Sequence, residues 1–278
     1  MTEHLSKIVA DNRAGTPCAI VSVCTAHPDA LRASLNWAER RDIPIVIEAT
    51  SNQANQDGGY TGMTAADFAS ALWKMADGLG IGRARVTLGG DHLGPQAWRA
   101  LPPEAAMEKA LVLVESYVEA GFDKIHLDCS QGCAGEPEQL SDHDTATRSA
   151  DLAARCEAAA SGRDILYVIG TEVPPPGGAR ADEEGDIPAT TPDAARQTLA
   201  AHAEAFAAAG LEGIEARVAA LLHAVSEQNL PEPLLSQVFS NACLDRAETL
   251  SGPSSQRLID AKIELALDPY DLTQRGAS

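Results

Sequence analysis

The chain has 278 residues, 45% of them hydrophobic but only 4% aromatic. It has enough apolar content to bury one large α/β core or two smaller ones. Its formal net charge of -19 argues against nucleic acid and anionic membrane surfaces as partners, since both carry the same sign. A phosphorylated substrate stays allowed, because clustered backbone N–H groups can hold phosphate inside an acidic protein.

The chain opens on MTEHLSKIVADNRAG, which is polar and lacks the apolar core of a signal peptide. No later run is long enough to span a bilayer, so a cytoplasmic protein with reduced thiols is expected. Five short apolar runs then read as strands: Cys18–Cys24, Ile43–Ala49, Arg85–Gly90, Lys124–Ser130 and Ile165–Glu172. Between them, Pro28–Arg40, Thr64–Leu79, Glu104–Ala120 and Ser141–Ala160 carry apolar residues at helical spacing, and Pro192–Ala209 follows as a further helix. Thr64 and Asp67 have the spacing of a capping box, and Gly80 stops that helix. Strands apolar on both faces, alternating with helices, predict a parallel sheet covered on both sides.

The strand starts recur roughly every 37 residues, the step of a (β/α) unit whose closed form has eight repeats. Five units are visible. Residues 210–278 read as helical through EARVAALLHAV and SSQRLIDAKIELAL, with a short proline-flanked PEPLLSQVF between them. The expected organisation is a partial barrel over residues 1–209 and a helical segment over 210–278. The fold class is α/β, derived from a TIM barrel.

In such barrels the working residues sit where strands end, and here every predicted strand ends in polar chemistry. The first ends at His27, the second at Glu48, Ser51 and Asn52, followed by the glycine-rich QDGGYTG. The third ends at Asp91-His92, the fourth at His126, Asp128 and Ser130, and the fifth at Glu172 before PPPGG. Gly89 and Gly90 let the chain bend before Asp91 and His92. That imidazole suits a divalent metal, with the carboxylate placed for proton transfer. Spacing alone equally allows Asp91 as a helix cap and His92 as a hydrogen-bonded core group. His126 and Asp128, two apart on a strand, face one way and favour a lining role. His27, His143, His202 and His223 read as surface or structural groups, and Gly58-Gly59 as a turn rather than an anion nest. Cys129 and Cys133 are spaced C-x-x-x-C with no second pair, so they read as buried thiols.

The phrases SVCTAHP, IEATSNQANQDGGYTGMT, LGGDHLGPQAW, AMEKALVLVESYVEAGFDKIHLDCS and YVIGTEVPPPGG resemble the accessory, non-catalytic subunit of tagatose-1,6-bisphosphate aldolase. That family, formerly labelled tagatose-6-phosphate kinase, works in galactitol and N-acetylgalactosamine catabolism. The likeness is close from about Val9 to Gly178, and LPEPLLSQVF with SSQRLIDAKIELAL is similar to the family's C-terminal helical segment. A wider likeness, to class II metal-dependent aldolases, implies Asp91 as proton carrier and His92 as a ligand to a zinc-like divalent metal. His126 is a second candidate ligand. Glu172, before the Gly177-Gly178 turn, matches a position that can serve the metal in those aldolases and joins Asp91 in the catalytic set. Glu48, Ser51, Asn52, Asp128, Ser130, Gly177 and Gly178 are the expected substrate contacts.

The resemblance also implies a departure. Family chains are longer, and the shortening falls between about Gly210 and Leu230, where the last three strands and the aldolases' other metal-binding histidines would lie. The metal site is therefore expected to be incomplete. The implied role is an accessory subunit, in an oligomer with a class II aldolase catalytic subunit, supporting its activity and stability. The alternative is a metal-dependent 4-epimerase of tagatose 6-phosphate and fructose 6-phosphate, working by retro-aldol cleavage and re-addition of a sugar phosphate. Losing strands costs the epimerase more than it costs the subunit. A kinase is not expected, since no G-x-x-x-x-G-K-[ST] loop is present.

Overall fold

A computed structural model describes residues 3–14, 20–170, 192–211 and 218–220. Helix α1 (Glu3–Arg13) precedes strand β1 (Val21–Cys24), and α2 (Pro28–Arg41) leads to β2 (Ile45–Thr50). Then come α3 (Ala65–Gly78), β3 (Val86–Leu93), α4 (Pro103–Glu119), β4 (Lys124–Leu127), α5 (Asp142–Ala159), β5 (Leu166–Ile169), α6 (Pro192–Ala208) and β6 (Val218–Ala220). The six strands form one sheet in the order β1-β2-β3-β4-β5-β6, and every pair is parallel. Sequential order without reversal is the wall of a (β/α) barrel; a doubly wound sheet would turn back on itself. No helix among the described residues is long and apolar enough to cross a membrane.

Local chemistry explains the boundaries. Thr64 and Asp67 form the reciprocal capping box expected from their spacing, and Gly80, at φ 74, follows the end of α3. His27 is the N-cap of α2, accepting the Asp29 N–H at 3.2 Å through Nδ1. It is a structural group, as read. The N-terminal residues, polar in sequence, form α1, with Lys7 and Asp11 paired one turn apart.

One expectation is corrected. Residues within EARVAALLHAV read as helical, but Val218–Ala220 is a strand that pairs with Tyr167–Ile169 of β5. Alanine propensity is a weak prior, and the hydrogen-bonding edge of β5 overrides it. The sheet thus has a sixth strand, beyond residue 209 and inside the stretch expected to lack the last strands. Glu172, Gly177, Gly178 and His223 lie outside the described residues, as do the predicted helical segments after residue 220.

The strands separate two environments by simple alternation. Ile45, Ile47 and Ala49 of β2, Val86 and Leu88 of β3, and Ile125 and Leu127 of β4 belong to the apolar core. Leu35, Phe68, Leu72, Leu113 and Tyr117 from the helices fill its other side, all at most 1% exposed. The intervening positions on the opposite face are Glu48 and Thr50 on β2, Thr87, Gly89 and Asp91 on β3, and Lys124 and His126 on β4. Burying the apolar face stabilises the wall by roughly 1.5–3 kcal/mol per large side chain. The other face is left to polar chemistry.

Candidate metal centre

The centre grows from an irregularity in β3. Strands β3 and β4 pair regularly at Gly89↔Lys124 and Gly90↔Ile125, then shift register before Leu93↔Leu127. His92 sits inside the shift with φ 48, the left-handed region that costs a non-glycine residue roughly 1–3 kcal/mol. Neighbours on a regular strand point to opposite faces. The bulge breaks that rule and brings both Asp91 and His92 to the polar side. Their side chains approach within 3.7 Å, between Asp91 Oδ2 and His92 Nε2. Buried Ser51, just after β2, holds the strained backbone by donating its hydroxyl to the His92 carbonyl at 3.1 Å. The hydroxyl of fully buried Tyr117 lies 2.8 Å from the Ala54 carbonyl and anchors the loop that carries Ser51.

Two imidazoles meet there. The rings of His92 and His126 stand 4.7 Å apart at 49°. Each has its Nδ1 at 3.0 Å from a carboxylate oxygen: His126 against Asp91 Oδ1, and His92 against Asp128 Oδ2. Asp128 is positioned in turn by Ser130, whose Oγ donates to Oδ1 at 2.8 Å and whose N–H does so at 3.2 Å. A carboxylate on Nδ1 fixes the tautomer that leaves Nε2 with a lone pair, the usual outer arrangement of a metal-binding histidine. His126 Nε2 is buried and has no hydrogen-bond partner. A buried acceptor without a partner costs about 1–3 kcal/mol, which a ligand at that nitrogen would remove.

Asp91, His92 and His126 offer ligand atoms that all lie within 4.8 Å of one another. Two imidazoles and a carboxylate are a donor set suited to zinc and similar divalent ions, so these residues fit a cation. The carboxylates suit it electrostatically as well. Burial alone would raise the Asp91 pKa, but the His126 hydrogen bond and the His92 and Lys124 charges outweigh it and hold the carboxyl well below its ordinary range. Asp128 follows the same pattern, with burial opposed by its hydrogen bond to His92 and by the charges of both histidines. Both acids are ionised at neutral pH.

Beneath this cluster lies a buried ion pair that involves a residue not singled out in the sequence. Lys124 Nζ donates to Glu48 Oε1, and the Ser22 hydroxyl donates to Glu48 Oε2. The pair reaches from β4 to β2 across β3, and Gly89 makes the crossing possible. A Cβ at Gly89 would stand 2.6 Å from Glu48 Oε1. Lys124, His126 and Asp128 alternate along KIHLD, so the period of two that marked the histidine and the acid also marks the lysine.

The expected site residues among the described ones fall into three groups, with Glu172, Gly177 and Gly178 outside the described residues. Asp91, His92, His126, Asp128, Ser51 and Ser130 converge on one cluster at the end of β3 and β4. Glu48 lies beside it but is committed to Lys124 and Ser22. Asn52 is exposed in the loop after β2, with its carbonyl accepting the Tyr60 N–H at 2.9 Å. The Gly58 and Gly59 N–H groups are both taken by Asn55, through its carbonyl at 2.9 Å and Oδ1 at 3.0 Å. They form a turn, as read. Cys129 and Cys133 are buried free thiols.

The chain is similar to known proteins. The chain is similar to a crystal structure of a probable tagatose 6 phosphate kinase from Sinorhizobium meliloti 1021, with 38% identity and a TM-score of 0.67. That match covers 88% of this chain and 62% of the other, so the chain spans less than two thirds of that protein's length. A fructose-bisphosphate aldolase from Campylobacter jejuni shares the fold at 17% identity and a TM-score of 0.50, over 95% of this chain and 72% of its own. The family model for the D-tagatose-1,6-bisphosphate aldolase subunit GatZ/KbaZ-like proteins matches residues 5–222. The chain belongs to the GatZ/KbaZ-like family of D-tagatose-1,6-bisphosphate aldolase subunits.

Proposed function

We propose that the chain is an accessory subunit of a tagatose-1,6-bisphosphate aldolase in galactitol and tagatose catabolism, supporting the activity and stability of a separate class II catalytic chain. The observation that carries this reading is the family match over residues 5–222. The sheet is compatible with it: β1 and β6 stand at its two ends, each paired on one side among the described residues, and a strand edge is a natural place for further protein. The test is to incubate a purified class II tagatose-bisphosphate aldolase catalytic subunit with and without this chain and follow substrate cleavage over hours. The chain is expected to lengthen the lifetime of activity several-fold. An unchanged decay, with no complex on size-exclusion chromatography, would remove the accessory role.

A second reading is favoured by the cluster itself. Asp91, His92 and His126 lie together with a buried, unpartnered Nε2, as a sugar-phosphate 4-epimerase acting by a retro-aldol route would need. In that reading His92 and His126 would hold a divalent ion, which when bound would supply Lewis-acid polarisation of a sugar carbonyl. Asp91 carries a proton to and from a sugar hydroxyl, with its carboxylate oriented by His126. Asp128 and Ser130 orient His92, and Ser51 fixes the backbone that presents it. Glu172 joins Asp91 in the proton chemistry, while Asn52, Gly177 and Gly178 bind the sugar phosphate. Conversion of fructose 6-phosphate to tagatose 6-phosphate by the chain alone, dependent on added divalent ion, would establish this second reading.

A further inference from the structure

The Glu48–Lys124 pair is more than a structural strut. It lies on the polar face of the sheet, one alternation below Asp91 and His126 on their own strands' side of the wall. Glu48 is buried, at 6% exposed, and Lys124 is mostly buried, at 16% exposed. The Lys124 charge favours the ionised Asp91 carboxylate. Burying a lysine and a glutamate is costly, and well-packed apolar residues would stabilise the sheet as well or better. Gly89 adds to that cost, because a side chain there would close the crossing and a glycine inside a strand weakens it. An arrangement that gives up stability twice at the floor of a cation site points to a role in the site.

That role follows from charge. Apart from the two imidazoles, the cluster holds the carboxylates of Glu48, Asp91 and Asp128 against one ammonium, Lys124. The excess is two negative charges, the complement of a divalent cation.

We infer that Lys124, held by Glu48 across Gly89, is a positioning residue that sets the charge at the floor of the Asp91–His92–His126 site and matches it to a divalent ion. This inference rests on the cation site described above and on neither choice of function. Lys124 is paired with Glu48 and acts through the field it exerts on the site. Removing the ammonium should deepen the negative potential, and removing the Glu48 charge should leave the ammonium opposing the cation. Removing both restores the balance.

The experiment is a titration of the full chain with cobalt(II), followed by visible absorption and by calorimetry, for wild type, Lys124→Met, Glu48→Gln and the double variant. Folding of each is checked by circular dichroism and melting temperature. If Lys124→Met fails to fold, Lys124→Gln carries the same charge change in its place. Charges this close in a partly buried site alter affinity by about tenfold or more. Lys124→Met is expected to bind cobalt about tenfold more tightly and Glu48→Gln about tenfold more weakly. The double variant should return to within about threefold of wild type. Single variants that both bind like wild type, or both bind more weakly with the double weaker still, would overturn the inference and leave the pair a structural strut. A wild-type chain that takes up no cobalt would overturn the cation site itself, and this inference with it.

Discussion

Strand β4 is flanked by buried polar groups at both ends, and the two ends treat them differently. Just before the strand, Asp123 is 4% exposed and fully used. Its N–H donates to the Leu88 carbonyl at 3.1 Å, its own carbonyl accepts the Leu166 N–H at 2.8 Å, and its carboxylate accepts from Arg163. Arg163 also donates to the Val118 carbonyl. At the other end His126 is 2% exposed, yet its Nε2 has no partner, and beside it His92 holds a left-handed backbone. The first end ties three strands and a helix together. The second stores strain and leaves a ligand atom waiting. In a (β/α) barrel the N-terminal face serves stability and the C-terminal face serves chemistry. Asp123 and His126 lie only three positions apart.

The contrast breaks most severely at Gly94, which lies just after β3. A Cβ there would stand 1.8 Å from the Asp128 carbonyl oxygen, and its extended backbone (φ -179) offers no strain to relieve. Gly94→Ala should cost about 3 kcal/mol in chemical denaturation and abolish cobalt binding, because the loop presenting Asp128 must move. A variant that melts and binds like wild type would show that the two loops are not packed as described.

The stability end is tested next. Asp123→Ala should lower unfolding free energy by about 2 kcal/mol, a value reduced because Arg163 is partly exposed. Cobalt affinity should stay within about threefold of wild type, since the lost partners lie at the far end of the strand. His126→Ala should do the reverse. It costs about 1 kcal/mol, because the imidazole's packing is lost while an unpartnered buried nitrogen is removed with it. It should nevertheless eliminate measurable cobalt binding. If both variants lose stability and binding together, the division of the strand into two ends is wrong.

Acidification sharpens the same point. Asp91 and Asp128 have folded-state pKa values held below their ordinary range. Their contribution to stability is therefore present above about pH 4, the unfolded value, and is lost as pH falls further. Asp128→Asn should flatten that acid limb in pH-dependent denaturation. The smallest expected effect is at His92. With φ 48, His92→Gly should be about 1 kcal/mol more stable than His92→Ala, since glycine relieves the left-handed strain and alanine keeps it.

The wall of the barrel was legible in the sequence because its signals are local. The apolar runs, the Thr64–Asp67 box and the stop at Gly80 each depend on a few adjacent residues. Asp91, His92, His126 and Asp128 were legible as chemistry because polar groups clustered at strand ends. Their pairing was not. Nothing in the sequence says that His92 turns to Asp128 and His126 to Asp91, since that crossing depends on a bulge between two strands. Lys124 was not legible as a site residue although it alternates with His126 and Asp128, because a lysine at a strand start usually faces solvent. Val218–Ala220 read as helix because its pairing partner lies 51 residues earlier, at Tyr167–Ile169, and no local window contains it.

The most direct test of the cation site is a crystal of the full chain soaked in zinc and measured at the zinc absorption edge. An anomalous peak is expected about 2.0–2.1 Å from His126 Nε2, with His92 also in its coordination sphere. A protein donor or an ordered water on that nitrogen, with zinc bound only elsewhere, would contradict it.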